Sequence, residues 1–279
     1  MAGKIKDFIQ SKQDSLKEML KYVPVSTSII AVNILVWLVM FCCGVNLFTA
    51  NGYTYMKWGA NFAPLTLTGD WWRLITSSFI HQGVFHLLLN MFWFFLFGFI
   101  SEIVYRPRRF LFAYFYSAIF SAYFSLIFHT DAPCLGASGA VYGCFGLCIS
   151  AFLLHEGMNG NRKETIFAFL PFLAYGLFYG LIKKNIDLAA HVGGLLSGFV
   201  LGICYEILIR IVPKEKLSRA QGILELSFLV LFIYLFGNMV SNAPTKYIQM
   251  RRLWDSGVVE KMMEQKEAEK ELKQNGFGI

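Results

Sequence analysis

Ser138 stands in Gly136-Ala137-Ser138-Gly139 at the head of one apolar stretch, and His191 stands in Ala190-His191-Val192-Gly193-Gly194 at the head of another far downstream. A serine hydroxyl attacks poorly until a base takes its proton, and imidazole is the side chain most often used for that task. The two residues are therefore the ingredients of a nucleophile and its general base. Polar groups in membrane-type helices are costly, so chemistry is the favoured reason for them to be there. The expectation is hydrolysis by a serine nucleophile inside a bilayer.

The elements that would position this pair follow from composition and periodicity. With 56% hydrophobic residues and 28 Phe, the 279-residue chain has more apolar side chain than a soluble core of its size could bury. An all-α, polytopic membrane helical bundle is expected. Apolar runs long enough to cross, about 20 residues each, fall near 26 to 46, 82 to 102, 109 to 129, 138 to 155, 164 to 182 and 189 to 210, with a weaker seventh at 223 to 240. Residues 1–25 form a polar N-terminal segment without the apolar core of a signal peptide. Ile5, Phe8, Ile9, Leu16, Met19 and Leu20 are helically spaced there, which suggests a helix lying on the membrane surface. Residues 26–212 make the six-span unit, and 213–279 an extension with the extra span and a polar tail. The six cysteines lie almost entirely in apolar runs and outline no disulfide framework.

Charge orients the bundle. If the N-terminus is cytoplasmic, inner segments hold the lysines at 4, 6, 12, 17 and 21, Arg106, Arg108, Arg109, Arg162, Lys163, Arg210, Lys214, Lys216 and Arg219. The outer loops hold Lys57, Arg73, Lys183 and Lys184. Fourteen against four favours this orientation. The net charge of +7 thus reflects topology on a lipid bilayer, and the basic residues lack the pattern of a nucleic-acid surface. In this orientation the second, fourth and sixth spans all begin on the outer side. His86 and Asn90 lie one turn inside the second, Ser138 opens the fourth and His191 lies just inside the sixth. Four polar residues from three spans distant in sequence come to similar depth on one side.

The segment before the second span reads Gly59-Ala60-Asn61, Gly69-Asp70-Trp71-Trp72-Arg73-Leu74 and His81-Gln82-Gly83-Val84-Phe85-His86-Leu87-Leu88-Leu89-Asn90-Met91. Together with GASG, a tyrosine four residues after the serine, and AHVGGLLSG, this resembles the rhomboid family of intramembrane serine proteases over about residues 25 to 212. The resemblance implies a Ser138–His191 dyad, oxyanion stabilisation by His86 and Asn90 with the Ser138 amide, and Tyr142 packed on the imidazole to orient it. His86 and Asn90 are spaced i, i+4 and share a helix face, and Tyr142 lies one turn beyond Ser138. The substrates implied are single-span transmembrane proteins cut near the outer surface.

Gly136 belongs to the serine motif, and Gly139 with Gly143 and Gly194 with Gly198 form small-xxx-small faces that would let the two dyad helices approach closely. The resemblance also implies that Trp72-Arg73 anchors the first outer loop, while position and spacing make Asp187 an N-cap and Glu102 with Arg106 an i, i+4 pair. Pro171 should kink the fifth span, whose Gly176 and Gly180 follow, and such a helix could serve as a lateral gate. If the seventh span crosses, the tail lies outside with Lys246, Arg251 and Arg252, against the charge trend. The five histidines show no HExxH pattern, so neither a metal nor another cofactor is expected. The alternative function is a proteolytically inactive relative that binds or escorts membrane clients. Retention of both Ser138 and His191 argues against it. A transporter is disfavoured by the lack of a carboxylate relay or inverted repeat.

Overall fold

The computed structural model describes residues 21–130, 132–156, 171 and 187–274. Its elements are α1 (Pro24–Cys42), α2 (Gly52–Trp58), α3 (Ala63–Thr66), α4 (Arg73–Thr76), a 3-10 turn at Ser77–Phe79, α5 (Gly83–Phe128), α6 (Ser138–Leu154), α7 (Leu188–Ile211), α8 (Lys214–Ser241), α9 (Thr245–Asp255) and α10 (Val258–Gln274). Asn61 and Cys134 form an isolated antiparallel bridge. Helices α1, α5, α7 and α8 are each long and apolar enough to cross a membrane. Their outward faces carry large apolar side chains such as Leu35, Leu38, Phe92, Val200 and Ile233. Only lipid makes such a surface favourable, so this is a multi-pass integral membrane protein built as a helical bundle. The N-terminal surface helix, and the fifth span at 164 to 182 apart from Pro171, fall outside the described residues.

Helix α5 has 46 residues, or about 69 Å of helix, against about 30 Å of hydrocarbon. It is two crossings. Arg106 leaves helical geometry with φ 69° and ψ 154°, and Pro107 explains why, since proline disfavours the α region for its predecessor and offers no N–H of its own. Beyond this turn the second arm folds back on the first. The rings of Phe94 and Tyr114 lie 5.3 Å apart, whereas twenty residues of straight helix would separate them by about 30 Å. The arms match the expected second and third spans.

Near the turn, Glu102 departs from the expected pairing with Arg106. Its two carboxylate oxygens accept from the backbone N–H groups of Val25 (2.9 Å) and Ser26 (2.7 Å). First-turn amides have no intrahelical partner, so a buried carboxylate of the second span completes the start of the first. Pro24 at the head of α1 needs no such partner, because it has no N–H.

Helix α6 runs through the middle of the bundle, and most of its side chains are buried. Glycines and serines permit this crowding. Ser101 Oγ donates to the Cys144 carbonyl at 3.1 Å, and Ser150 Oγ donates to the Phe199 carbonyl at 2.8 Å. The closest packing is with α7. A Cβ added at Gly194 would collide with the carbonyl of Gly139, and one at Gly198 with the carbonyl of Gly143. With 17 residues, α6 spans about 26 Å, less than the hydrocarbon thickness. A helix that short begins below the membrane surface if it ends near the opposite one, and Ser138 is its first residue.

Helix α8 begins nine residues before the apolar run that marked the seventh span. It packs through Phe228 and Phe232 on Tyr116 and Tyr123 of the second arm of α5. Tyr205 of α7 donates to Glu225 of α8 at 2.9 Å. Helix α8 returns the chain to the end of the bundle where α5, α6 and α7 begin, and α9 and α10 lie against the loop that precedes α5.

Candidate active site

The loop ahead of α6 approaches the first turn of α5 so closely that only glycine fits at position 136. Gly136 has φ 113°, in the region that disfavours side chains, and a Cβ there would lie 2.7 Å from Cε1 of His86. Two backbone amides fix the loop. Gly136 N donates to the Ser77 carbonyl (2.9 Å), and Ala137 N donates to Nε2 of His81 (3.3 Å). Burial, reinforced by the neighbouring His86, pushes the His81 imidazole well below its ordinary pKa. It is neutral, as an accepting Nε2 requires. In the sequence His81 opens the motif that runs to Met91, with no role of its own assigned to it. Its contact with the residue before Ser138 joins positions far apart in the chain, so local spacing could not reveal that support.

Ser138 begins α6, and its Oγ lies 2.9 Å from Nε2 of His191. His191 is 8% exposed and sits one turn inside α7. Asp187 caps that helix, accepting from the Ala190 N–H at 3.0 Å, as expected. Tyr142, one turn below Ser138, stacks on the imidazole with centroids 4.4 Å apart and planes inclined by 19°. The close contacts at Gly139 and Gly143 with Gly194 and Gly198 set the helix separation that this geometry needs. The stacked phenol restrains the ring plane while Nε2 faces the hydroxyl.

His86 and Asn90 lie in successive turns of α5. Nδ1 of His86 accepts from the Gln82 N–H at 3.2 Å, so in the neutral ring the proton resides on Nε2. That nitrogen lies 3.0 Å from where a Cβ of Gly136 would sit, so a donor faces the loop that carries Ser138. Asn90 is buried, and its amide nitrogen donates to the His86 carbonyl at 2.8 Å. One of its two amide hydrogens is thereby engaged within its own helix.

Trp72-Arg73 anchors the first loop as expected. Arg73 is 3% exposed and donates to Asp70 (2.9 Å) and to the carbonyls of Met56 (2.6 Å) and Ala60 (3.1 Å). Its guanidinium also lies 4.6 Å from the Trp72 ring centre. At the far end of the bundle, a second polar cluster links His155 to Glu206 at 3.1 Å and Arg210 to the Leu154 carbonyl.

Comparison with known sequences converges on one family. The rhomboid domain model matches residues 68–207. The chain is 32% identical over 162 residues to "Rhomboid protease GluP" of Bacillus subtilis, covering 58% of this chain and 31% of that one. It is 29% identical over 200 residues to "Putative rhomboid protease YdcA" of the same organism, covering 70% and 96%. It is 29% identical over 204 residues to "Rhomboid protease AarA" of Providencia stuartii, covering 64% and 70%. The domain match takes in half of the sequence and every motif from the Asp70 loop to His191, and on that ground the chain belongs to the rhomboid family.

Proposed function

We propose that this protein is an intramembrane serine endopeptidase that cleaves single-span membrane proteins near the outer membrane surface, with residues 26–212 as the protease domain. The observation that carries the reading is the 2.9 Å approach of Ser138 Oγ to His191 Nε2 beneath a stacked Tyr142. The named relatives are rhomboid proteases, which supports the same chemistry. In this reading His191 takes the hydroxyl proton as Ser138 attacks the substrate carbonyl, then returns it to the leaving amine. Water, activated by the same imidazole, releases the acyl group.

The tetrahedral intermediate places negative charge where little solvent can stabilise it. His86 Nε2–H and the first-turn amide of Ser138 supply fixed donors, and Asn90 supplies its second amide hydrogen. Tyr142 orients the base. The charge asymmetry across the spans supports a cytoplasmic N-terminus and an active site opening outward.

A fluorophosphonate probe should label the purified protein at Ser138. Ser138→Ala should abolish labelling and bring cleavage of a model single-span substrate to background. An unlabelled wild-type protein that still binds single-span clients would replace this reading with that of a client-binding relative.

A further inference from the structure

We infer that α9 and α10 form a strap over the loop that precedes α5, and that Arg251 on this strap is a positioning residue for the nucleophile loop. The inference rests on the proposed role of Ser138. The carboxylate of Asp70 is held from two sides. Arg73 Nε donates to one oxygen at 2.9 Å, and Arg251 Nη1, 181 positions away, donates to the other at 2.7 Å. Arg251 is itself aimed by Asp255, which accepts from its Nε at 2.9 Å. A second pair joins Lys57 of α2 to Glu260 of α10 at 2.6 Å. Tyr53 and Trp254 add a ring contact at 5.2 Å, and Trp71 meets Phe236 of α8 edge-on at 6.3 Å.

The two ion pairs carry different weight. Lys57 and Glu260 are about half exposed, and a pair so placed contributes little. Asp70 and Arg251 are better shielded, with side chains 15% and 27% exposed, and Asp70 also organises Arg73. From Arg73 the connection continues inward without a break. Its donations to the Met56 and Ala60 carbonyls fix the end of α2, where Gly59 is pressed against Trp72 and Thr76. Asn61 follows at once and exchanges two backbone hydrogen bonds with Cys134, at 2.9 and 2.7 Å. Two residues beyond Cys134 begins the Gly136-Ala137-Ser138 loop, itself pinned to Ser77 and His81. The tail thus reaches the nucleophile loop through an unbroken series of contacts, the first between side chains, the next from the Arg73 side chain to backbone carbonyls, and the last between backbone groups.

The test compares wild type, Arg251→Ala and Arg251→Lys of the full chain in one detergent. Amide hydrogen exchange is read at Asn61, Cys134, Gly136 and Ala137, and kcat and KM are read on a model single-span substrate. Loss of one charge-assisted hydrogen bond from a shielded carboxylate should raise exchange at Asn61 and Cys134 about tenfold in Arg251→Ala. The looser loop should lower kcat by about tenfold while KM changes less. Lysine at 251 restores a single donor and should recover much of both. Unchanged exchange at these four amides would overturn the strap, and raised exchange with an unchanged kcat would overturn the positioning role. A rise spread equally over α6 and α7 would mean general destabilisation and would also overturn it. If wild-type Ser138 takes no fluorophosphonate, the protease reading fails, and the exchange comparison alone still decides whether the strap holds the loop.

Discussion

Adding one methyl group at Gly194 should disable the dyad without touching either member. The Cβ would overlap the carbonyl of Gly139, the residue after the nucleophile. Carbon and carbonyl oxygen settle at about 3.3 to 3.6 Å, so α7 must move away from α6 by more than about 1 Å. Backbone on both sides of the contact leaves no rotamer to absorb the shift. His191 is one turn away on the same helix, and its 2.9 Å hydrogen bond to Ser138 would lengthen beyond the roughly 3.6 Å at which such a contact ceases to be a hydrogen bond. Gly194→Ala should therefore lower turnover by about 100-fold and destabilise the fold by about 1 to 3 kcal/mol through overpacking. Gly237→Ala is the control, because nothing lies within 4 Å of its Cβ position in α8. It should be neutral or stabilising by up to about 1 kcal/mol. Fluorophosphonate labelling rates and thermal unfolding in one detergent would measure both effects. A Gly194→Ala protein that labels at the wild-type rate would refute the claim that backbone contact between α6 and α7 sets the dyad distance.

Three further outcomes are expected. Tyr142→Phe should retain most activity while Tyr142→Ala loses much of it, since the stacked ring face restrains His191; equal, severe losses in cleavage assays would instead assign a role to the hydroxyl. His86→Ala should lower kcat by about 100-fold to 1000-fold, and Asn90→Ala by less, because part of the Asn90 amide is engaged by the His86 carbonyl; a change confined to KM would remove both from oxyanion stabilisation. Burial raises the Asp70 carboxyl, but the hydrogen bonds from Arg251 and Arg73 outweigh it and hold the group below its ordinary value. A lowered carboxylate stabilises the fold above its unfolded pKa of about 3.9, and that contribution is lost as pH falls through the folded value. Protection of the tail against limited proteolysis should accordingly be level from neutral pH down to about 5 and fail only below about 4; failure already near pH 6 would show that the Arg73–Asp70–Arg251 cluster does not hold the tail.

The parts of this protein legible in its sequence are those governed by local spacing or by the length of an apolar run. Ser138 with Tyr142, His86 with Asn90, and the Gly139/Gly143 and Gly194/Gly198 faces are single-helix patterns, and each stands where its period puts it. The N-cap at Asp187 is equally local. What escaped was long-range and polar. Glu102 looked like half of an i, i+4 pair with Arg106, yet Pro107 takes Arg106 out of the helix and the carboxylate turns to amides 76 and 77 positions earlier. His81 supports the serine loop from 56 positions away. The tail, with Lys246, Arg251 and Arg252 against the charge trend, also has a partner that only the fold brings near. Arg251, one of those three, pairs with Asp70 and Asp255.

The contact between Glu102 and the start of α1 also bears on the order in which the chain enters the membrane. A lone acidic residue within a span is costly on insertion, though less so near its end than at its centre, and the amides of Val25 and Ser26 lack helical partners until that acid arrives. Each is a liability that the other removes. The first span can leave the insertion machinery only as a helix with an unfinished end, and the second only with an uncompensated carboxylate, unless the two leave paired. Retention of the first span until the second has been synthesised, followed by release of both as a hairpin, would avoid either exposed state, and a photocrosslink from residue 25 to the insertion channel should persist until Glu102 has emerged from the ribosome.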